Sequence, residues 1–230
     1  MKILAVEFSS AQQSVAIWES GGEKMQNAEC KMQNEATRPV AERRAQFPER
    51  RSIGLVEEAL AEAKCGREEI GAVAVGLGPG SYTGIRGAIA LAQGWELGRG
   101  VVVLGVSSVE CLAAQAQAAG RRGAVNIVID AQRNEFYLAR YELDETGWRE
   151  AEALRLAAKS EIEALAGVGQ VLLGPEIRQW FDGATDMYAR AVTVGRLACG
   201  RHDFVPAEKL EPIYLRETAF KKAPVPRGMV

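Results

Sequence analysis

The feature of the sequence that most constrains the fold is a glycine-rich stretch, GLGPGSYTGIRG, at residues 76–87. An apolar run at residues 72–75 precedes it, as expected of a buried strand, and a run with helical character follows from Ile85 to Leu97. A glycine-rich turn between a strand and a helix exposes backbone N–H groups at the positive end of the helix dipole, and it lets another backbone approach closely. The stretch therefore predicts a βα unit whose turn either holds an anion or is purely structural.

The standard nucleotide-binding fingerprints do not fit this loop. A Walker A loop has Lys and then Ser or Thr after its last glycine, whereas Gly84 is followed by Ile85 and Arg86. Ser81 stands where a dinucleotide fingerprint that begins at Gly76 has a glycine-like residue. The sequence therefore favours a structural loop built on Gly78, Gly80 and Gly84. Positive φ is expected at Gly80 and Gly84.

The composition is that of an ordinary globular protein. Of the 230 residues, 47% are hydrophobic and 25% are charged, and the net charge of −2 argues against a generally basic nucleic-acid binder. A local basic segment runs from Arg216 to Arg227. No apolar run approaches the length of a membrane span, and the N-terminus leads straight into a strand. We therefore expect a cytoplasmic protein with no membrane contact.

The second half of the chain repeats a pattern of the first half. Residues 2–8 and 14–18 predict two strands joined by a polar turn, and residues 126–130 and 136–141 predict another such pair. Both first strands end on a carboxylate. The shared pattern, which is not one of residue identity, favours a duplicated fold. We expect an N-terminal lobe at 1–106, a C-terminal lobe at 107–204, and a tail at 205–230 that packs on the lobes or is partly loose.

The remaining elements follow from hydrophobic periodicity and turn residues. Helices are predicted at residues 51–64, 84–98, 107–119, 160–166, 175–181 and 187–199, and further strands at 25–32, 72–77, 101–106 and 171–173.

One face of the helix at 84–98 carries glycines at helical spacing, because Gly84, Gly87, Leu91, Gly94 and Gly98 are three or four residues apart. An interior glycine destabilises a helix by about 1 kcal/mol relative to alanine. Gly87 and Gly94 therefore need a compensating reason, such as a neighbouring backbone that leaves no room for a Cβ. That neighbour lies either in the same lobe or across a subunit interface.

Several segments together resemble the TsaB family, also called YeaZ, whose members are partner subunits in bacterial tRNA threonylcarbamoyladenosine synthesis. They are ILAVEFSS (3–10), SVAI (14–17), the glycine loop with LGVSSVE (104–110), DAQRNEFY (130–137) and EPIYLR (211–216). The resemblance covers nearly the whole chain. It implies an α/β architecture, namely the duplicated actin/Hsp70/sugar-kinase-like (ASKHA) fold, in which each of two lobes has a mixed β-sheet flanked by helices.

The resemblance also implies a scaffold function. A TsaD-like subunit would carry the metal and transfer the threonylcarbamoyl group to adenosine in ANN-decoding tRNAs, from an adenylate that another enzyme makes. This chain would bind and activate that subunit. A TsaE-like ATPase would join the assembly, and the assembled complex would bind tRNA. The chain is expected to form a homodimer when alone. The expected interface residues, on the two helices at 51–64 and 84–98, are Val56, Leu60, Gly87, Leu91 and Gly94.

Catalytic chemistry has little support in the sequence. A TsaD-type transferase holds its metal with a pair of histidines on one helix face, and the only histidine here is His202. No Ser-His-Asp or Cys-His arrangement can be built around that residue. The four cysteines are far apart and form no CxxC pair, so neither a zinc site nor a disulfide framework is indicated. We therefore predict an accessory subunit with no catalytic residue and no metal.

The alternative is an ATP-dependent kinase or a carbamoyl-transfer enzyme on the same fold. In this superfamily, phosphates bind between two strand–turn–strand loops, which here are residues 7–13 and 130–135. The candidate nucleotide-binding residues are Ser9, Ser10 and Arg133. The first loop lacks the glycine that lets a backbone wrap a phosphate, and an arginine on a turn is by default solvated. The prediction assigns no cofactor to this chain alone and leaves ATP to the assembled complex.

The sequence departs from the family pattern at two places. Glu7 ends the opening strand where the family usually has Asp, which puts an inherited phosphate or metal role for this carboxylate in doubt. A family His-Ser-Glu triplet before the first long helix is replaced around residues 46–49, whose sequence is QFPE. Because that segment precedes a predicted interface helix, the details of partner contact are left open.

Overall fold

A computed structural model describes residues 1–19, 38–46, 52–199 and 201–215. Its strands are β1 (Lys2–Glu7), β2 (Gln12–Glu19), β3 (Arg38–Gln46), β4 (Ile70–Gly76), β5 (Val102–Val106), β6 (Gly123–Asp130), β7 (Glu135–Leu143), β8 (Trp148–Ala158), β9 (Leu172–Gly174) and β10 (Thr185–Asp186). Its α-helices are α1 (Ser52–Glu62), α2 (Tyr82–Arg99), α3 (Ser108–Ala118), α4 (Lys159–Gly167) and α5 (Ala191–Ala198). Short 3₁₀ turns lie at Arg67–Glu69, Ile177–Gln179 and Ala207–Lys209.

The strands form two five-stranded sheets with the same topology. The first sheet has the order β3-β2-β1-β4-β5, and the second has the order β8-β7-β6-β9-β10. In each sheet the first three strands form an antiparallel meander, and the last two are parallel to the first strand. The duplicated two-lobed α/β fold of the sugar-kinase-like class is therefore confirmed at the level of strand order and direction.

Helices separate and cover the two sheets. α1 and α2 pack on the outer face of the first sheet over a core that contains Val6, Val73 and Ile89. α3 and α5 belong to a core shared by both sheets, which extends from Trp18 to Tyr141. α4 and the 3₁₀ turn Ile177–Gln179 cover the far side of the second sheet. The shared core joins the two lobes because burial of apolar surface from both sheets stabilises their contact.

Polar contacts from the first lobe hold α5. Ser14 Oγ accepts a hydrogen bond from the N–H of Ala191 at 2.8 Å, and Glu42 forms an ion pair with Arg190 just before the helix. The indole N–H of Trp18 donates to the carbonyl of Val192 at 2.9 Å. These side chains satisfy groups at the start of an eight-residue helix whose own N-cap residue makes no side-chain cap.

The ends of α2 show why it extends beyond the predicted range of 84–98. Ser81 is its N-cap, and its hydroxyl accepts a hydrogen bond from the N–H of Gly84 at 3.3 Å. Gly100 ends the helix in the left-handed conformation at φ +67°. Among the described residues, no helix combines the length and hydropathy needed to cross a bilayer.

Some sequence-based predictions differ from the structure. The predicted helix at 175–181 is only the 3₁₀ turn Ile177–Gln179, because Glu176 adopts φ +54° just before it and interrupts helical geometry. The predicted strand at 25–32 lies outside the described residues, as do 47–49 of the QFPE segment and the basic segment 216–227. The third strand of the first sheet is β3, and α5 begins at Ala191 instead of residue 187.

The described part of the tail lies along the first lobe. Val205 forms an antiparallel bridge with Val103 on the β5 edge, and the N–H of Ile213 donates to the carbonyl of Leu77 at 2.9 Å. Ala207 is fully buried in the core of the first lobe, where its N–H donates to Glu96. This segment covers an edge strand that would otherwise present unpaired backbone groups.

Candidate functional site

The glycine loop is pressed against the turn that joins β1 and β2. Gly78 has φ +83° and Gly80 has φ +147°, a conformation that side chains rarely adopt. A Cβ on Gly80 would lie less than 3.0 Å from the carbonyl oxygen of Ser9, and one on Gly84 equally close to the carbonyl oxygen of Phe8. The expectation of positive φ at Gly84 is wrong. Glycine is required there because a helix passes directly over another backbone.

Three N–H groups of the glycine loop are engaged within the protein. The N–H of Ser81 donates to the carbonyl of Ser9 at 2.6 Å, and the N–H of Gly78 donates to Ser108 Oγ at 3.1 Å. The N–H of Gly84 is taken by the Ser81 cap. Because these donors already have partners, we interpret the loop as a structural joint between β1, α2 and α3.

Glu7 points into the protein and is fully buried. Its Oε1 accepts the N–H of Ser9 and its Oε2 accepts the hydroxyl of Ser108, both at 2.7 Å. Gly76 has no Cβ where this carboxylate passes, since a Cβ would lie less than 3.0 Å from Oε2. Burial raises the pKa of Glu7, and the hydrogen bonds from Ser9 and Ser108 oppose that rise. Glu7 thus links the β1–β2 turn to α3, and Ser108 links α3 to the glycine loop through the N–H of Gly78.

Replacing Glu7 with glutamine is expected to give a variant whose stability relative to the parent chain rises with pH. A carboxyl whose pKa is raised in the folded state contributes stability below its unfolded pKa, about 4.3, and loses it as pH rises through the folded pKa. Glutamine does not ionise. The difference in unfolding free energy, Glu7→Gln minus parent, should therefore increase with pH by about 1.4 kcal/mol per unit of pKa elevation. Urea titrations at about pH 4.5 and pH 8 measure it.

The exposed Glu145→Gln variant is the control for that experiment, because it removes a surface carboxyl and leaves Glu7 in place. A difference for Glu7→Gln that stays constant across the same pH range would mean that Glu7 titrates normally in the folded chain.

A cleft between the lobes contains two of the three predicted nucleotide-binding residues. Its cavity has a volume of about 380 Å³. Ser9 and Ser10 line it, but Arg133 does not. The lining residues are Ser9, Ser10, Ala11, Gly80, Ser81, Tyr82, Ile129, Asp130, Ala131, Gln132, Tyr137, Pro175, Glu176 and Tyr214. The charged side chains in this lining are therefore carboxylates, and no lysine or arginine is among the described residues that form it.

Groups with catalytic potential are dispersed in the described part of the chain. His202 is exposed in the segment that follows α5. Cys65, Cys111 and Cys199 are buried, and burial raises the pKa of the Cys111 thiol, which disfavours the reactive thiolate. Within residues 1–19, 38–46, 52–199 and 201–215, no group of three or more His, Cys, Asp or Glu residues is placed to hold a metal ion.

An apolar groove runs between α1 and α2 on the outside of the first lobe. Its cavity volume is about 570 Å³. Gly87 and Gly94 line it and are exposed, and no atom of the described residues lies within 4 Å of where their Cβ atoms would be. Within the described part of the first lobe, the alternative that these glycines accommodate a neighbouring backbone is therefore wrong. Their missing side chains leave open space on the surface.

The other predicted interface residues are divided between this groove and the core. Leu91 is half-buried and lines the groove, and Val56 lines it from α1 although only 3% of its surface is exposed. Leu60 is 5% exposed and packs in the core below α1, so it does not face the groove. The positions of these residues in the free chain do not show what they bind, so the subunit interface stays a prediction.

The groove also has residues that sequence reasoning missed. Ile53 on α1 is 75% exposed, and Ala90 and Trp95 line the groove from α2. Leu97, one turn beyond Gly94, is 91% exposed. The sequence shows a leucine and an isoleucine near the glycine face. It does not show that they are exposed, because their exposure depends on where α1 and α2 pack. In the cleft, Glu176 and Tyr214 were missed for the same reason, whereas Asp130 belongs to the loop 130–135 that the sequence analysis placed at a phosphate site.

Comparisons with known proteins agree with the fold. A family model described as TsaD, tRNA N6-adenosine threonylcarbamoyltransferase, matches residues 45–188. The tRNA threonylcarbamoyladenosine biosynthesis protein TsaB of Escherichia coli (strain K12) is 30% identical over 97% of this chain and 99% of its own length. The TsaB protein of Haemophilus influenzae is 27% identical over 76% of this chain and 83% of its own length. The structure of YeaZ from Pseudomonas aeruginosa is similar with a TM-score of 0.72 and 25% identity, covering 93% of this chain and 99% of that one.

Proposed function

The chain belongs to the TsaB family of tRNA threonylcarbamoyladenosine biosynthesis proteins, and we propose that it serves that pathway as a non-catalytic activator of a TsaD-type transferase. In this proposal the two subunits pair through α1 and α2, a TsaE-like ATPase joins them, and tRNA is bound by the assembly. In the absence of the transferase, the same surface joins two copies of the chain.

The observation that carries the proposal is the open glycine face of α2. Gly87 and Gly94 destabilise the helix by about 1 kcal/mol each relative to alanine, and no atom of residues 1–19, 38–46, 52–199 or 201–215 lies within 4 Å of their Cβ positions. A partner helix can approach α2 closely at such positions, because helix axes pack at 8–10 Å only where the side chains allow it. Ile53 and Leu97 beside the glycines supply apolar surface to bury in that contact.

The similarity to a TsaD-type family model supports the identity of the partner. A subunit built on the same strand and helix order is expected to present an equivalent pair of helices outside its first sheet. Two such pairs can meet about a pseudo-twofold axis, in the way that identical surfaces meet in a symmetric dimer. This relation accounts for both proposed states, the heterodimer with the transferase and the homodimer of this chain.

The absence of catalysis by this chain is supported by the cleft. A nucleoside triphosphate carries several negative charges, whereas the charged lining residues are Asp130 and Glu176. The neighbouring loop N–H groups of Ser9 and Ser81 donate to Glu7 and to the carbonyl of Ser9. The kinase or carbamoyl-transfer alternative requires this cleft to hold a nucleotide, so ATP turnover by the purified chain is the observation that would favour it.

Size-exclusion chromatography with light scattering tests the proposed pairing. The purified chain is mixed with the cognate TsaD-type subunit at micromolar concentration, and a complex with one copy of each subunit is expected. Formation of that complex should reduce self-association of this chain, since both contacts use the α1–α2 groove. Two components that elute separately at their own masses would contradict the proposed function.

A further inference from the structure

The interlobe cleft lies where ligands bind in many α/β proteins. Its lining comes from turns that follow the central strands: residues 9–11 after β1, 80–82 after β4, 130–132 after β6 and 175–176 after β9. Open α/β sheets bind ligands at the carboxyl ends of their strands. A cavity of about 380 Å³ is also within the range of about 300–1,000 Å³ that small-molecule sites occupy.

The charge of this cavity selects against anions. Asp130 and Glu176 are the two charged residues of the described lining, and both are acidic. Arg133, on the same turn as Gln132, does not reach the lining. Glu176 is exposed on the turn after β9 and lines the cleft, so its carboxylate is accessible to a ligand. A cleft whose charged side chains are all carboxylates attracts positively charged ligands and raises their local concentration.

The backbone at the cleft offers few donors to a phosphate. The N–H of Ser9 donates to Glu7, the N–H of Ser81 donates to the carbonyl of Ser9, and the N–H of Gln132 donates to Asp130 Oδ1 at 2.6 Å. In a phosphate-binding loop, backbone N–H groups of this kind point at the phosphate. Here one N–H group in each turn already donates within the protein.

Two exposed tyrosines add the surface that organic cations recognise. Tyr82 is 50% exposed and Tyr214 is 46% exposed, and their ring centroids are 6.0 Å apart at an interplanar angle of 56°. The guanidinium of Arg86, which does not line the cleft, already lies 5.5 Å from the centroid of the Tyr82 ring. The face of an aromatic ring attracts a cation through its quadrupole, and nearby carboxylates strengthen that attraction.

We propose that the interlobe cleft binds a guanidinium or primary ammonium group, of the kind carried by an arginine or lysine side chain. The carboxylates of Asp130 and Glu176 neutralise the cation, and the ring of Tyr214 packs beside it. A free metal ion is a poorer match, because the described residues place no third carboxylate, histidine or cysteine in the cleft. This inference rests on the cleft alone and does not depend on the proposed partner surface.

Titration of the isotope-labelled full-length chain with arginine amide, followed by amide NMR spectra, tests the proposal. Saturable shifts are expected at residues 9–11 and 130–132, with a Kd on the order of 1 mM. Citrulline amide has nearly the same shape but no side-chain charge, and it should bind about tenfold more weakly or worse. The affinity for arginine amide should also fall with added salt, as expected for a charge-dependent contact.

The double variant Asp130→Asn/Glu176→Gln should lose at least about tenfold in affinity for arginine amide, by removal of both charges. Glu145→Gln/Asp182→Asn, at exposed positions outside the cleft, is the matched control and should bind as the parent does. If the double variant is unfolded by circular dichroism, Glu176→Gln alone carries the test, because Glu176 is exposed. Equal affinity for arginine amide and citrulline amide would overturn the proposal, as would tighter binding of magnesium-free ATP at the same residues.

Discussion

Replacing Gly94 with glutamate is expected to give a folded monomer that no longer binds the TsaD-type subunit. Gly94 is exposed, and the Cβ atom of the new residue has no atom of the described residues within 4 Å, so the substitution fits the free chain. Glutamate is also the better helix former, which should leave the thermal midpoint unchanged or slightly higher. In the complex, however, the carboxylate would be buried without a partner at a penalty of several kcal/mol. We expect the affinity to fall at least about a hundredfold, measured by titration calorimetry.

Gly167→Glu is the matched control for this variant. Gly167 is also an exposed helical glycine with open space around its Cβ position, but it lies on α4 in the other lobe. The control should bind the partner as the parent chain does. A folded Gly94→Glu variant that keeps parental affinity would remove this face of α2 from the interface and leave α1 as the candidate.

Replacing Gly80 with alanine is expected to destabilise the chain by about 3 kcal/mol or more. The substitution combines an unfavourable φ of +147° with overlap of the new methyl group and the carbonyl oxygen of Ser9. Neither strain can relax without moving the β1–β2 turn, which is also held by the hydrogen bond from Ser81. Denaturant titration should show a lower midpoint with an unchanged slope.

Gly100→Ala separates the two causes of that loss. Gly100 also has positive φ, at +67°, but its Cβ position has no atom within 4 Å in the part of the chain that the structure describes. Its substitution should therefore destabilise by only about 1–2 kcal/mol, the penalty of the left-handed conformation alone. Equal losses for the two variants would mean that the close approach to Ser9 contributes nothing to the requirement for glycine at position 80.

The sequence was sufficient to predict the central part of each lobe. The hairpins β1–β2 and β6–β7 are apolar strands around short polar turns, so both the strands and their duplication were recognisable from residue type and spacing alone. These strands lie in sheet centres, where burial on both faces leaves a continuous apolar pattern.

Two of the edge strands, β3 and β8, were not predictable in the same way, whereas the apolar edge strand β5 was. β3 and β8 pair on one side only, and their sequences, RPVAERRAQ and WREAEALRLAA, place charged residues throughout. Charge on an edge strand prevents unwanted pairing between molecules, but it also removes the alternation that identifies a strand. The 3₁₀ turn at Ile177–Gln179 was mistaken for a helix because the left-handed conformation of Glu176 is not encoded by residue type.

The candidate site was predictable where it depends on glycine and unpredictable where it depends on assembly. The glycine pattern identified both the loop and the face of α2, since a missing side chain is a property of the sequence. Residue spacing does not decide whether Gly87 and Gly94 face their own lobe or solvent, because that depends on how α2 packs. The carboxylates of the cleft come from turns after β6 and β9, which become neighbours only when those strands pair.

The measurement that tests the central claim most directly is threonylcarbamoylation of tRNA in a reconstituted system from which single subunits are withheld. We predict that modification requires the TsaD-type subunit absolutely, and that omission of this chain lowers its rate by at least about a hundredfold. Addition of the parent chain should restore the rate, and addition of Gly94→Glu should not. Modification by this chain without the TsaD-type subunit, or full modification without this chain, would contradict its assignment as a non-catalytic activator.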